Sequence, residues 1–260
     1  QAVPVLSRDR LKGGVLYHDG QFDDARLLIS MVRTGHDAGA CLLNYMRVTS
    51  LIRGQDQRIE GVCVCDAESG EEARIEGRAV INAAGPFSDA IRSMEDSTQE
   101  SMIAPSQGVH LVLPRALYPG ATAMIVPKTS DGRVIFIIPW HEHVIIGTTD
   151  TPIAEACLEP KPQQDEIQFL LTTAADYLER APEPDDVLGY FTGVRPLVKG
   201  DKSARTASLS RDHVIRVSTA GLITIAGGKW TTVRKMAEDC VDKAIQLHPL
   251  KAQPCSTENY

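Results

Sequence analysis

None of the 20 glycines has another glycine two positions away. The dinucleotide fingerprint GxGxxG and the kinase glycine loop both need that spacing, so both are excluded, and no GxxxxGK(S/T) replaces them. A dinucleotide held by this chain would have its main phosphate-binding turn outside these residues. The six cysteines, at 41, 63, 65, 157, 240 and 255, contain no CxxC pair. That pattern argues for reduced thiols packed inside the protein rather than a disulfide framework or a metal site. Cys63 and Cys65 stand two apart on an expected strand, point to one face, and read as small core residues. Long apolar runs are also missing. Uncharged stretches such as Ile103–Pro114 reach about a dozen residues, short of the ~18–20 that span a bilayer. Basic charge is in deficit, 27 Lys+Arg against 34 Asp+Glu for a net charge of -7, which excludes a general grip on nucleic acid. The chain opens on Gln1, with no basic, apolar, small-residue leader behind it, as expected of a segment or a processed product.

What is present is a globular composition: 260 residues, 43% hydrophobic and 23% charged. The length holds one large domain or two interleaved ones. Asp23 and Asp24 offer a cap for a helix from Ala25 to Asp37, with Leu28, Ile29 and Val32 as its apolar stripe. Strands are expected over Cys41–Ile52, Arg58–Cys65 and Glu72–Glu76, then a buried parallel strand over Ala79–Gly85. A polar connection, Arg92–Pro105, leads to a β-meander of Val109–Leu113, Ala123–Val126, Val134–Ile138 and Val144–Gly147, with Ser130–Gly132 as a tight turn. A helix from Asp165 presents Ile167, Leu170, Leu171, Ala174 and Leu178. Strands Val214–Ser218 and Leu222–Ala226 precede a helix from Thr231 to Leu247, whose buried face reads Val233, Met236, Ala237, Cys240, Val241, Ala244 and Ile245. The fold class is α/β, mixed α+β, with two domains built from non-consecutive pieces.

The strand-to-helix junction Gly227-Gly228-Lys229 is the most informative local feature. Paired glycines admit close approach by a ligand, and the free amides of a helix start favour negative charge. The other reading is a tight turn with a solvated lysine. Arg195, between Val194 and Pro196, offers a planar fork for a carboxylate or phosphate, or else a structural ion pair. His110 lies in an expected strand as either a base or a packed core residue. Arg211 alone reads as a surface residue, and His141, Glu142 and His143 as an exposed hairpin turn rather than metal ligands.

In order along the chain, GGVLYHDGQFDDARL (13–27), NAAGPFSD (82–89), SQGVHLVLP (106–114), VIFIIPWHEHVIIGTTD (134–150), TGVRPL (192–197), SRD (210–212) and AGGKWTTVRKMAE (226–238) resemble the FAD-dependent glycerol-3-phosphate dehydrogenases. The resemblance runs from about Leu11 to Leu247 and places the chain near the D-amino-acid oxidase group. Members of the family begin with a strand–GxGxxG–helix and end in a helical extension. This sequence contains neither, so it resembles the central catalytic portion.

The resemblance implies an antiparallel-sheet substrate domain over 1–20 and 100–188, a partial FAD-binding domain over 21–99 and 189–250, and a tail over 251–260. It implies oxidation of sn-glycerol 3-phosphate to dihydroxyacetone phosphate, with FAD as cofactor and a quinone as electron acceptor. By family position, His110 is the catalytic base and Arg195 orients substrate and stabilises the developing alkoxide, while Arg211 and Lys229 seat the phosphate. Ala84, Gly85, Gly228, Lys229, Trp230 and Thr231 line the cofactor. A cytoplasmic protein, peripheral on the inner membrane face and homodimeric, is the corresponding expectation. The alternatives are a related flavin oxidase of amino or hydroxy acids and a non-catalytic module binding a phosphorylated ligand.

Overall fold

Asp23 starts the first helix, α1 (Asp24–Asp37), by accepting the Arg26 amide on its carboxylate at 2.9 Å. The helix falls where its cap and apolar spacing predict, yet Leu28, Ile29 and Val32 are exposed, and no residue of α1 is buried among the described residues. The computed structural model describes residues 3–9, 11–127, 129, 132–199, 212–248 and 251–259. The chain divides into two units: unit 1 holds 1–15 and 104–209, unit 2 holds 16–103 and 210–260.

Unit 2 begins with α1 and an antiparallel meander, β1 (Met46–Arg53), β2 (Ile59–Asp66) and β3 (Glu72–Glu76). Tyr45 takes a positive φ of 58°, so the strand expected from Cys41 starts five residues later, at Met46. The apolar run after β3 forms only a short strand, β4 (Ile81–Asn82). It pairs in parallel with a later strand, as expected, but Ile81 is 40% exposed, which corrects the expectation of burial on both faces. A 3-10 turn at Gly85–Phe87 leads into α2 (Ser88–Glu95). The Asp89 carboxylate accepts Ser101 Oγ at 2.6 Å and the Met102 and Ile103 amides at 2.9 Å. Burial works against its charge, but these donors and Arg92 prevail and hold its pKa below the ordinary value.

That clamp fixes the start of β5 (Ile103–Pro114), so the polar connection expected as far as Pro105 ends earlier. β5 is the axis of unit 1. With β6 (Met124–Val126), β7 (Ile135–Trp140), β8 (His143–Gly147), β9 (Thr151–Pro152) and β10 (Gly189–Val198), it makes a six-stranded sheet ordered β10–β5–β8–β7–β6, with β9 also paired to β5. Val109, Leu111 and Leu113 alternate along β5 and are fully buried. They pack with Ile135, Ile137, Val144 and Ile146 and with Leu170, Leu171 and Ala174 of α3 (Gln164–Ala175), leaving the intervening side chains to the other sheet face. β10 pairs with β5, so Gly189–Val198 falls in unit 1, apart from 212–248 in unit 2. Pro196, which donates no amide, is tolerated because β10 is an edge strand.

The chain returns to unit 2 with β11 (His213–Val217), β12 (Ile223–Gly227), a 3-10 turn at Trp230–Thr232 and α4 (Val233–Leu247). β12 lies between β11, antiparallel, and β4, parallel. Ile223, Ile225, Cys240 and Ala244 form the core there with Met236 against them. The helix stripe is narrower than its sequence suggests. Val241 is 50% exposed and Ala237 is exposed, because the face turned to the sheet is the 236–240–244 row. The tail is tied to α4 through Arg234, which donates to Thr257 Oγ1 at 3.3 Å. All six cysteines are free, and three of them, Cys41, Cys157 and Cys255, are exposed on connections and the tail, which corrects the expectation of interior thiols.

Candidate active site

In unit 1, the face of β5 opposite α3 carries Gly108 and His110 two residues apart. The edge strand β10 supplies Phe191 and Arg195 beside them. The His110 ring stacks on Phe191 with centroids 4.6 Å apart and planes within 10°. Across the ladder, His110 faces Gly147 of β8, and a Cβ there would overlap the imidazole. A Cβ on Gly108 would likewise overlap the Arg195 guanidinium. Two glycines therefore make the room in which a ring and a guanidinium lie flat on a sheet. Sequence pattern placed His110 and Arg195 far apart in the chain; the β10–β5 pairing brings them together.

Arg195 is bonded to the segment that follows β8. Its Nη1 donates to the Thr149 carbonyl and its Nη2 to Thr148 Oγ1, both at 3.0 Å. The Asp150 carboxylate lies 3.8 Å away and accepts the Ser106 hydroxyl. The ion-pair reading of Arg195 has a partner in Asp150, and 31% of the arginine side chain is exposed. Burial, reinforced by the Arg195 charge, lowers the His110 pKa from 6.5 to about 4. At neutral pH the imidazole is uncharged and has a lone pair to accept a proton.

This shift has a measurable consequence for stability. The folded-state pKa lies below the unfolded one, so as pH falls the unfolded chain takes up the proton first. The contribution of the neutral ring is complete above about pH 6.5 and is lost as pH drops toward about 4. In urea titrations between about pH 7.5 and about pH 4.5, wild type is expected to lose on the order of 1–2 kcal/mol more than His110→Asn. Parallel losses in the two proteins would mean that the ring titrates normally.

In unit 2, the cofactor candidates gather at one end of a sheet. β4 and β12 run parallel, and Ala84-Gly85 follows the first while Gly228-Lys229 follows the second. The carboxyl ends of adjacent parallel strands are where open α/β sheets bind ligands. The turn after β4 is built by buried Asn82. Its Nδ2 donates to the Ser88 carbonyl at 3.0 Å and to Thr224 Oγ1 at 3.3 Å, and its Oδ1 accepts the Ala84 amide at 3.2 Å. Gly85, Gly227 and Gly228 have φ of 56°, 77° and 73°, a region that side chains disfavour. A Cβ on Gly85 would meet open space, whereas one on Gly228 would overlap Met236 Sδ. Lys229 and Thr231 are exposed at the start of the turn into α4. The Trp230 indole N–H is buried and lacks a hydrogen-bond partner among the described residues. A bare backbone at the strand ends and a leftover buried donor suit a large polar cofactor such as FAD.

Arg211 lies outside the described residues. His141, Glu142 and His143 are exposed at the β7–β8 hairpin. Among the described residues, no three His, Cys, Asp or Glu side chains gather as a metal ion requires, and no helix is long and apolar enough to cross a membrane. Sequence reasoning missed Gly108 and Gly147, whose only signal is a glycine inside an apolar strand. It also missed Phe191.

The family described as DAO: FAD dependent oxidoreductase matches residues 1–234. The chain is 45% identical over 98% of its length to the mitochondrial glycerol-3-phosphate dehydrogenase of Rattus norvegicus, and 44% identical over 99% to that of Arabidopsis thaliana. It spans 36% and 42% of those proteins, so it corresponds to well under half of either. Among solved structures, the glycerol-3-phosphate dehydrogenase of Bacillus halodurans complexed with FAD matches 98% of this chain and 49% of its own, at 35% identity and a TM-score of 0.87. A glycine oxidase of Bacillus cereus, at 14% identity and a TM-score of 0.57, shares the fold.

Proposed function

Because the chain belongs to the DAO family of FAD dependent oxidoreductases, we propose that the protein carrying it oxidises sn-glycerol 3-phosphate to dihydroxyacetone phosphate with FAD as cofactor. The observation that carries this reading is the pair in unit 1: a tethered, part-exposed guanidinium beside a neutral imidazole on one sheet face. Oxidising a secondary alcohol requires a group to take the hydroxyl proton and a cation to offset the charge that develops on oxygen. His110 Nε2 or Nδ1 takes the proton. Arg195 orients the substrate and stabilises the oxygen.

Lys229, with Arg211, supplies positive charge for the phosphate. Ala84, Gly85, Gly228, Trp230 and Thr231 hold FAD, the glycines by giving its polar atoms access to backbone amides and Trp230 by its buried N–H. FAD, when bound, supplies the two-electron redox chemistry that side chains lack. Unit 1 is the substrate part and unit 2 part of the FAD domain. The reading extends to a quinone as acceptor at a membrane surface, in the cytoplasm or, as the names of the rat and Arabidopsis relatives have it, in the mitochondrion. Homodimer formation belongs to the same proposal.

The test is anaerobic addition of substrate to the full-length, FAD-loaded protein. Loss of the yellow flavin absorbance is expected with sn-glycerol 3-phosphate and not with glycine or L-proline. Bleaching by an amino acid alone would make the protein an amine oxidase, and absence of a flavin spectrum after FAD addition would leave a phosphate-binding module.

A further inference from the structure

Glu166, in the first turn of α3, is 4% exposed, and nothing in the chemistry above uses it. Its two carboxylate oxygens are saturated. Oε1 accepts Thr149 Oγ1 at 2.8 Å and Thr151 Oγ1 at 2.7 Å; Oε2 accepts Gln107 Nε2 at 2.7 Å and the Gln163 amide at 2.9 Å. Burial by itself raises its pKa, but the donors outweigh that cost and hold the carboxyl below its ordinary value. Only the Gln163 bond serves the helix, as the acidic half of a capping box. The other three reach into the strand segments next to Arg195.

We propose that Glu166 is a positioning residue for Arg195, setting the guanidinium through the backbone that carries Thr149. The proposal rests on the reading of Arg195 as the substrate-orienting cation. The connection is short. Glu166 grips the hydroxyls of Thr149 and Thr151, one on each side of Asp150. Because a carboxylate only accepts, it fixes the Thr149 hydroxyl as a donor and leaves the lone pairs of that oxygen for the Val109 amide, which donates to it at 2.9 Å. Thr149 is thereby pinned to β5 at the residue before His110. Its carbonyl then receives Arg195 Nη1, and the neighbouring Thr148 hydroxyl receives Nη2. One buried charge thus sets two acceptors of the guanidinium and the strand position beside the imidazole. Gln107, next to Gly108 over which the guanidinium lies, completes the frame from the β5 side.

The isosteric change Glu166→Gln keeps the shape but removes one acceptor: an amide nitrogen turned toward Gln107 and Gln163 meets two N–H donors, and one turned toward Thr149 and Thr151 makes both hydroxyls accept and strips their protons of the carboxylate that received them. In the full-length, FAD-loaded protein it is expected to lower kcat/KM for sn-glycerol 3-phosphate by about 10- to 100-fold, the range for a small misplacement of a catalytic group. In an Arg195→Lys background the same change is expected to cost less than about threefold, because the group it aims is gone. Equal losses in both backgrounds would overturn the proposal. The second arm is a crystal structure of Glu166→Gln, in which Arg195 is expected to lose at least one of its bonds to Thr148 and Thr149. A guanidinium with both bonds unchanged would overturn it whatever the kinetics.

If wild type does not oxidise sn-glycerol 3-phosphate, the functional reading fails and the crystallographic arm still decides the positioning role. If Glu166→Gln does not fold, Thr151→Val removes one strut while leaving the charge, and both arms are read on it. A loss of about threefold that vanishes with Arg195→Lys supports the proposal. An unchanged kcat/KM with unchanged Arg195 geometry overturns it.

Discussion

Replacing His110 with alanine in the full-length, FAD-loaded protein is expected to lower kcat by about 10²–10⁴-fold while moving KM by less than about threefold. The asymmetry follows from the role proposed for the ring in oxidising sn-glycerol 3-phosphate. Burial and the Arg195 charge keep it neutral, so it contributes little to holding a dianionic substrate in the ground state. Its lone pair matters as the hydroxyl proton leaves. A proton acceptor whose free-protein pKa is about 4 is a weak base, and the nearby guanidinium compensates by lowering the pKa of the alcohol it contacts. kcat and KM measured by flavin bleaching under anaerobic conditions decide the matter. An unchanged kcat removes His110 from the proton path, and a loss confined to KM makes it a binding residue. His110→Gln, which keeps a polar group against Phe191, is expected to recover little of the lost rate.

Arg195→Ala is expected to lower kcat/KM by about 10²–10³-fold, with kcat falling and KM rising, because in the proposed reaction the guanidinium binds substrate and stabilises the developing charge. Truncation also strands the Thr149 carbonyl and the Thr148 hydroxyl that receive it, so stability has to be measured alongside. A cleaner probe leaves the arginine in place. Gly108→Ala puts a methyl group where the guanidinium lies, and the obstacle is the far end of a flexible side chain rather than backbone. The expected result is a loss of about 10-fold or more in kcat/KM with a melting temperature within a few degrees of wild type. Wild-type kinetics in Gly108→Ala would show that the position of the guanidinium over β5 does not matter to turnover.

Elements with strong local signals were legible in the sequence. Asp23 and the 28–29–32 spacing located α1, and short apolar runs located β6, β7, β8 and the body of β5, whereas β9 and β10 were not expected. Errors arose where tertiary context overrides composition. Ala79–Gly85 reads as a strand covered on both faces, yet only Ile81–Asn82 forms a strand, beside β12, and Ile81 stays 40% exposed. β5 starts earlier than its apolar run because Ser106 and Gln107 are polar but buried, their side chains meeting Asp150 and Glu166. His110 and Arg195 were nameable because each is a chemistry-bearing side chain in an apolar strand. Their proximity depends on β10 pairing with β5, which no local pattern encodes. Glu166 was invisible for a different reason. An acidic residue in the first turn of a helix is ordinary, and only its unbroken ring of donors distinguishes it from a solvated one.

The parallel pairing of β4 with β12 joins residues 142 positions apart in the chain, with Asn82 bonded to Thr224 across it. During synthesis, the β1–β3 meander has all its strands as soon as they leave the ribosome, and the β5–β10 sheet follows as a self-contained block. The Asn82 turn must wait for both. Such distant closure slows folding, because the entropy of the intervening loop is lost before any contact repays it. Until β12 is made, the nascent chain therefore carries the Ile81–Asn82 strand without the parallel neighbour it pairs with in the finished sheet. That interval is when a chaperone would be needed, and when substitutions at Asn82 or Thr224, which bond each other across the pairing, would lower yield.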